Sequence, residues 1–340
     1  MTRWVTAGRG SLGTVEPRER YAPFSQTYLL ILLTTLFWGG TPVAGKLVIR
    51  EIPALTAGVL RYGMTSLLLI AACWRQLPDP RALRRSDLWL LLWVGVFGTF
   101  LNHILFFVGL VHAPAAHASI IAPTTSPVWT MILAARLGKE RVTGGQVAGM
   151  VLCLAGVVLV IHPERLVTGG GGSLLLGDVL FFLGGGAWGV YSFLSKAAMA
   201  RLSAATTLTF AMVAGTLFLV PLALAERPWM ALRAAHLTTW GALAYITVAG
   251  TVLSFFWWNV ALHRVGAGKT AVFTNLVPVF GVILSWLVLG ERLTVIQLVG
   301  GLLAVGGVLT CQRPASSAIV RGSMRRRLRS WTSDKDEAGP

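Results

Sequence analysis

Asn102 and His103 stand side by side inside an apolar stretch that runs from Leu88 to Val111. An amide beside a neutral imidazole offers both donors and acceptors, and imidazole titrates near neutral pH. His103 could therefore hold a bound molecule or carry a coupling proton. Asp178, near the start of another apolar stretch, is the second candidate for that proton. Trp38, Trp129, Trp188, Tyr191 and Trp257 could grip an apolar or aromatic molecule, with Asn259 and Asn275 adding polar contacts. Trp and Tyr also collect at membrane interfaces, so some of these rings face lipid. Pro123, Pro127 and Pro278 interrupt helical hydrogen bonding and free carbonyls, which suits a hinge or a cavity wall.

Other chemistries find no support. The chain has no HExxH, no Ser/His/Asp-like set and no acidic cluster within its apolar stretches. Catalytic residues, metal ligands and cofactors are therefore not expected. Cys73, Cys153 and Cys311 form no CxxC pair and read as small packing residues. The run Gly266-Ala267-Gly268-Lys269-Thr270 lacks the first glycine of a phosphate loop, since His263 stands there, and no strand precedes it.

The elements that must carry these residues follow from composition. Of 340 residues, 55% are hydrophobic and only 12% charged, with a mean hydropathy of +0.70. Soluble domains carry about a quarter charged residues, so the chain belongs in a bilayer. Continuous apolar runs exclude a barrel, whose strands alternate in polarity, and predict ten helices. They run Tyr28–Ile49, Leu55–Cys73, Leu88–Val111, Ala115–Ala135, Gly144–Ile161, Leu174–Ala197, Ala204–Ala225, Thr238–Leu262, Thr270–Leu289 and Val295–Cys311. The formal net charge of +16 is concentrated in tails and alternate loops rather than in a stripe, which argues against nucleic acid. With the N-terminus inside, cytoplasmic segments hold 22 Lys and Arg and external ones 6, placing both termini in the cytoplasm. Residues 1–27 read as a disordered tail, not a cleavable signal, and 312–340 as a basic disordered tail.

The chain also repeats itself. Trp38-Gly39 and Lys46 recur as Trp188-Gly189 and Lys196 at an offset of 150. At an offset of 151, Pro127, Glu140-Arg141, Thr143, Gln146, Gly149 and Gly156 meet Pro278, Glu291-Arg292, Thr294, Gln297, Gly300 and Gly307. Five helices per half is an odd number, so the halves lie inverted in the membrane. Residues 28–161 form the first repeat, 162–173 a Gly-rich external linker and 174–311 the second repeat. Inverted repeats let one fold open to either side around a central site. Glu140 and Glu291 read as structural, pairing with the adjacent Arg or accepting helix N-terminal N–H groups. Lys46 and Lys196 could snorkel to water, form gate contacts or attract anionic cargo, and Arg61 could meet backbone carbonyls or reach the outer interface. The Gly-rich fifth and tenth helices suit close packing and could form a homodimer interface.

The blocks Pro127…Leu137-Gly138-Lys139-Glu140-Arg141…Gly149…Gly156 and Pro278…Leu289-Gly290-Glu291-Arg292…Gly300…Gly307, with Phe37-Trp38-Gly39-Gly40 and Arg61-Tyr62, resemble the EamA-type repeat of the drug/metabolite transporter superfamily. That resemblance implies a basket of ten helices and a cavity lined mainly by helices 1, 3, 4, 6, 8 and 9. It further implies export of a small metabolite such as an amino acid or drug-like compound from a cell membrane. Three alternatives stay open: an anion or nucleotide-sugar exchanger, which needs two or more cations converging in the cavity; a channel; and a membrane-embedded enzyme. The expected partners are the bilayer and a small-molecule cargo.

Overall fold

The computed structural model describes residues 24–137, 142–161, 172–265, 270 and 273–312, with the backbone alone at Phe24, Ser25, Asn259, Leu262 and His263. All regular structure among them is helical. α1 (Phe24–Val48), α2 (Ala54–Cys73), α4 (Ala115–Arg136), α5 (Gly144–Ile161), α6 (Gly172–Met199) and α7 (Ala204–Ala225) are uninterrupted. α3 runs from Arg85–Gly95 through a wide π-helical segment, Val96–Leu101, into Asn102–His112. α8 does the same, from Leu237–Ala244 through Tyr245–Leu253 into Ser254–Val265. α9 (Leu276–Leu289) and α10 (Val295–Cys311) complete the order. Eight helices, α1 to α8, are long and apolar enough to cross a membrane, while α9 and α10 are shorter apolar helices. Large apolar side chains such as Leu67 (69% exposed) and Leu302 (73% exposed) face outward, as lipid requires and water would penalise.

α9 begins later than its apolar run suggests. A turn at Thr274 and Asn275 precedes it, and Pro278 falls in its first turn. There the missing N–H of proline costs no bond within α9, and the turn that precedes the helix includes Thr274, four residues before Pro278. Pro123 and Pro127, in contrast, lie inside an unbroken α4, as Pro42 lies inside α1 and Pro221 inside α7.

The repeat is visible in the packing. α1 rests on α9, and its counterpart α6 rests on α4. A Cβ on Gly39 would meet the Cβ of Phe280 at 2.8 Å and the nitrogen of Gly281 at 2.9 Å. One on Gly189 would meet the Cβ of Trp129 at 2.8 Å and the nitrogen of Thr130 at 3.1 Å. These are the same contacts at offsets of 150 and 151, so glycine is needed in both halves for two helix backbones to touch.

Two other counterparts pair with each other, and both pairs are antiparallel. The first turn of α2 meets Glu226 at the end of α7. In α5 and α10, Gly149 lies against Gly307 and Cys311, and Gly156 against Gly300 and Ala304. Gly149, Gly156, Gly300 and Gly307 are thus used inside one chain, whereas nothing lies within 4 Å of a Cβ placed on Gly145 or Gly306. Cys153 is buried at this seam, and its Sγ lies 3.2 Å from the carbonyl of Thr124.

Candidate functional site

The two halves enclose a central cavity of about 330 Å3. Eight helices reach it, α2 and α7 as well as the six that the sequence resemblance implies. α1 contributes Trp38, Thr41 and Pro42; α3 contributes Thr99, Asn102 and Phe106; α4 contributes Ser119, Ser126 and its two prolines. From the other half come Trp188 and Tyr191 on α6, Met212 on α7, Thr251 and Phe255 on α8, and Val277 on α9, with Thr274 just before that helix. The rings are held by one another. Trp38 lies 5.1 Å from Trp258 and 5.9 Å from Phe255, and Trp188 lies 4.8 Å from Tyr191, centroid to centroid. Gly98 makes room for the ring of Tyr191, which a Cβ would overlap at 2.2 Å.

Proline shapes the polar part of the wall. Pro42, Pro123 and Pro127 have no N–H to offer the carbonyls four residues earlier. Those belong to Trp38, Ser119 and Pro123, all residues that line the cavity. Thr124 and Thr125 keep the neighbouring turns closed by donating to the carbonyls of Ile120 and Ile121, at 2.6 and 2.7 Å. The helices persist although these three cavity-lining residues lose a helical donor to their carbonyls.

The residues singled out from sequence divide into two groups. Trp38, Asn102, Trp188, Tyr191, Pro123 and Pro127 converge on the cavity, where Asn102 Nδ2 donates to the carbonyl of Gly184 at 3.2 Å. His103, Trp129, Trp257, Asn275, Pro278 and Asp178 lie outside its lining. His103 is fully buried, stacks on Phe107 at 4.2 Å, and its Nε2 lies 2.9 Å from the carbonyl of Ala54 at the start of α2. Trp129 packs on Phe182 and Gly186, Trp257 stacks on Phe37, and Asn275 Nδ2 donates to Gln312 Oε1 at 3.2 Å. The side chain of Asn259, the Glu140-Arg141 pair and Lys269 lie outside what the structure describes.

The structure adds surroundings that the sequence did not show for two features. The first is Arg61, which lines the cavity and donates from Nη2 to Thr251 Oγ1 at 3.2 Å. The second is a buried polar cluster between α4, α6 and α10. His117 Nδ1 lies 2.8 Å from Asp178 Oδ1, and His117 Nε2 lies 2.9 Å from Gln297 Nε2. Gln297 Oε1 accepts from the N–H of Thr294, which fixes its amide group as the donor toward His117. The neutral ring then carries its hydrogen on Nδ1 and donates it to Asp178. The usable signal was Gln297, whose repeat counterpart Gln146 makes the same cap on Thr143.

One end of the bundle is tied by glutamates. Glu226 accepts from the N–H groups of Leu55 and Thr56 and from the Thr56 hydroxyl, at 3.1, 2.7 and 2.7 Å. Glu291 accepts from the N–H groups of Ala115 and Ala116 at 3.0 and 2.8 Å. It thus serves the start of α4, a different helix from the one it precedes in sequence. Glu51 accepts from the N–H of His236 and the hydroxyl of Thr239, both at 2.7 Å, and sits 2.7 Å from His236 Nδ1. The Thr239 hydroxyl, then the His236 N–H and ring, hold the Glu51 carboxyl down at about 2. Lys46 works in the opposite sense at the same end, donating to the terminal α3 carbonyls of Leu110 and Ala113.

Comparison with known proteins agrees with this architecture. The model of the EamA-like transporter family matches residues 25–162 and again 175–311. The uncharacterised transporter YyaM of Bacillus subtilis is 30% identical over 284 residues, covering 83% of this chain and 92% of that protein. A probable terminal-alkyne amino-acid exporter of Streptantibioticus cattleyicolor is 27% identical over 300 residues, covering 85% and 94%. A solved crystal structure shares the fold with a TM-score of 0.58 at 21% identity, covering 84% of this chain and 96% of that one.

Proposed function

Because the chain belongs to the EamA-like transporter family, a family of multi-pass membrane transporters, we propose that it is a secondary transporter exporting a small organic metabolite across the cell membrane. The observation that carries this reading is the cavity itself, enclosed by matched elements of both halves and walled by aromatic rings and proline-freed carbonyls. An apolar wall with a few fixed polar groups suits a cargo with an apolar body and a small polar head. The Streptantibioticus relative, named as an amino-acid exporter, supports an amino acid or a compound of similar build. In this reading both termini are cytoplasmic, the glutamate end is external, and the two halves rock so that the cavity meets each side in turn.

Asp178 and His117 are the pair through which a proton could drive the cycle. Burial makes a lone carboxylate there costly, and its partner ring can take or return a proton across a 2.8 Å contact. His103 serves instead as packing and as a hydrogen-bond partner between α2 and α3. An exchanger for phosphorylated compounds is less well supported, because Arg61 is the sole Lys or Arg lining the cavity among the described residues.

Counterflow in proteoliposomes tests the reading. Vesicles loaded with amino acids and aromatic metabolites should lose one class faster when the same compound is supplied outside. An imposed pH gradient should accelerate that loss in the native protein and not in Asp178→Asn. Conductance without counterflow would mean a channel and would overturn the proposal.

A further inference from the structure

Arg61 has unfinished chemistry. Its guanidinium carries five N–H donors in a fixed fork. Nη2 donates to Thr251, while Nε is buried and has no hydrogen-bond partner among the described residues. The Cζ atom sits 4.8 Å from the Tyr62 ring centroid and 6.0 Å from that of Phe107, so apolar and aromatic surface surrounds the charge. No Asp or Glu is among the described residues lining the cavity. A cation inside a membrane protein is costly unless paired, and no described residue of the lining supplies a counter-ion. A ring face offsets part of the cost yet leaves in-plane donors unused.

We infer that Arg61 is the anion-binding residue of the cavity and that the cargo presents a carboxylate to it. This rests on reading the cavity as the cargo site. A carboxylate matches the planar fork of the guanidinium in a way that a point charge does not. Thr251 holds one edge of the fork from the second half of the molecule, so the anchor spans α2 and α8 and senses their relative position. The freed carbonyls of Ser119 and Pro123 accept hydrogen bonds and repel a second negative charge. The cavity thus selects one carboxylate on an otherwise apolar or hydrogen-bond-donating body.

The test compares phenylacetate, phenylacetamide and phenethylamine, three compounds with the same apolar body and different heads. Ligand-induced stabilisation of the purified full-length protein, in neutral detergent, reads binding without requiring transport. The acid should bind the native protein more tightly than the amide or the amine. Arg61→Gln should weaken the acid by about tenfold to a hundredfold, in line with the loss of a charged hydrogen bond, and leave the amide unchanged. Arg61→Lys keeps the charge without the fork; it should retain the preference for the acid at reduced affinity, and it covers the case in which Arg61→Gln fails to fold. Equal binding of acid and amide, an unaltered preference in Arg61→Gln, or no binding of the acid would each overturn the inference. Acid binding without counterflow would sink the transport reading and leave Arg61 standing.

Discussion

The two ends of the bundle are closed by different means. At one end, Glu51, Glu226 and Glu291 each accept two or three hydrogen bonds from the start of a helix distant in sequence. Among the described residues at the other end the caps are local, like the Thr294 and Gln297 cap of α10 at the first. Thr143 and Gln146 serve α5, and Ser203 serves α7 through Thr206. The cross-links described there are Arg264 to Thr27 at 3.4 Å, Asn275 to Gln312 at 3.2 Å, and Arg201 to Asp87. The last spans 3.4 Å with an exposed arginine. Its counterpart at an offset of 150 is the Glu51 contact to the start of α8. Equivalent positions thus carry a tight carboxylate cap at one end and a loose ion pair at the other. At these described positions the two copies of one architecture are therefore tied by unlike bonds, and the difference resides in the side chains at helix termini rather than in the helices.

The most damaging way to break this asymmetry is through the buried cluster at the glutamate end. Asp178→Ala leaves His117 without its acceptor and should cost about 3 kcal/mol or more in thermal unfolding, as for a broken buried pair. Asp178→Asn should cost less, because its amide oxygen still accepts from Nδ1. Glu226→Ala comes next, at about 2 kcal/mol, since three donors at the start of α2 lose their acceptor. A cysteine placed at Ser126 in a Cys-free background should then be labelled faster from the glutamate side. Unchanged labelling would mean that this tie does not hold that end closed.

Acid sharpens the comparison further. The Glu51 carboxyl sits at about 2, against an ordinary value of 4.5. Its stabilising effect is complete above the ordinary value and fades as pH falls through the lowered one. Hydrogen-exchange protection of the His236 amide should therefore persist at pH values where free glutamates are largely protonated, and Glu51→Gln should remove that persistence. The smallest effect belongs to Arg201→Ala. An exposed pair of this length should change stability by less than about 0.5 kcal/mol, and a larger change would erase the contrast between the ends.

Helix positions were legible in the sequence because continuous apolar runs need no partner to be recognised. The repeat was legible too, and Gly39 and Gly189 show why: two backbones in contact leave a glycine at the same place twice. Side-chain direction was not. In water one apolar face marks the core, whereas here both core and lipid are apolar, so Trp188 in the cavity and Trp257 outside it look alike. The role of Glu226 was hidden by distance, since its partners Leu55 and Thr56 lie 171 and 170 residues away. Arg61 was visible as an intramembrane cation, but its surroundings come from α3 and α8, which sequence order does not bring near it.

The wide turns of α3 and α8 have a geometric effect of their own. Offset by 150, the segment Val96–Leu101 falls within Tyr245–Leu253, so both halves carry the irregularity at the same place. One surplus residue in a helix rotates everything beyond it by about 100° relative to a regular spiral. Each wide turn is thus a phase shifter. It lets the first stretch of α3 lay Gly95 against Ala211 and Gly215 of α7, while the next aims Asn102 and Phe106 into the cavity. Deleting a single residue there would restore a regular helix and swing Asn102 away from the carbonyl of Gly184, with every residue type still present but facing elsewhere.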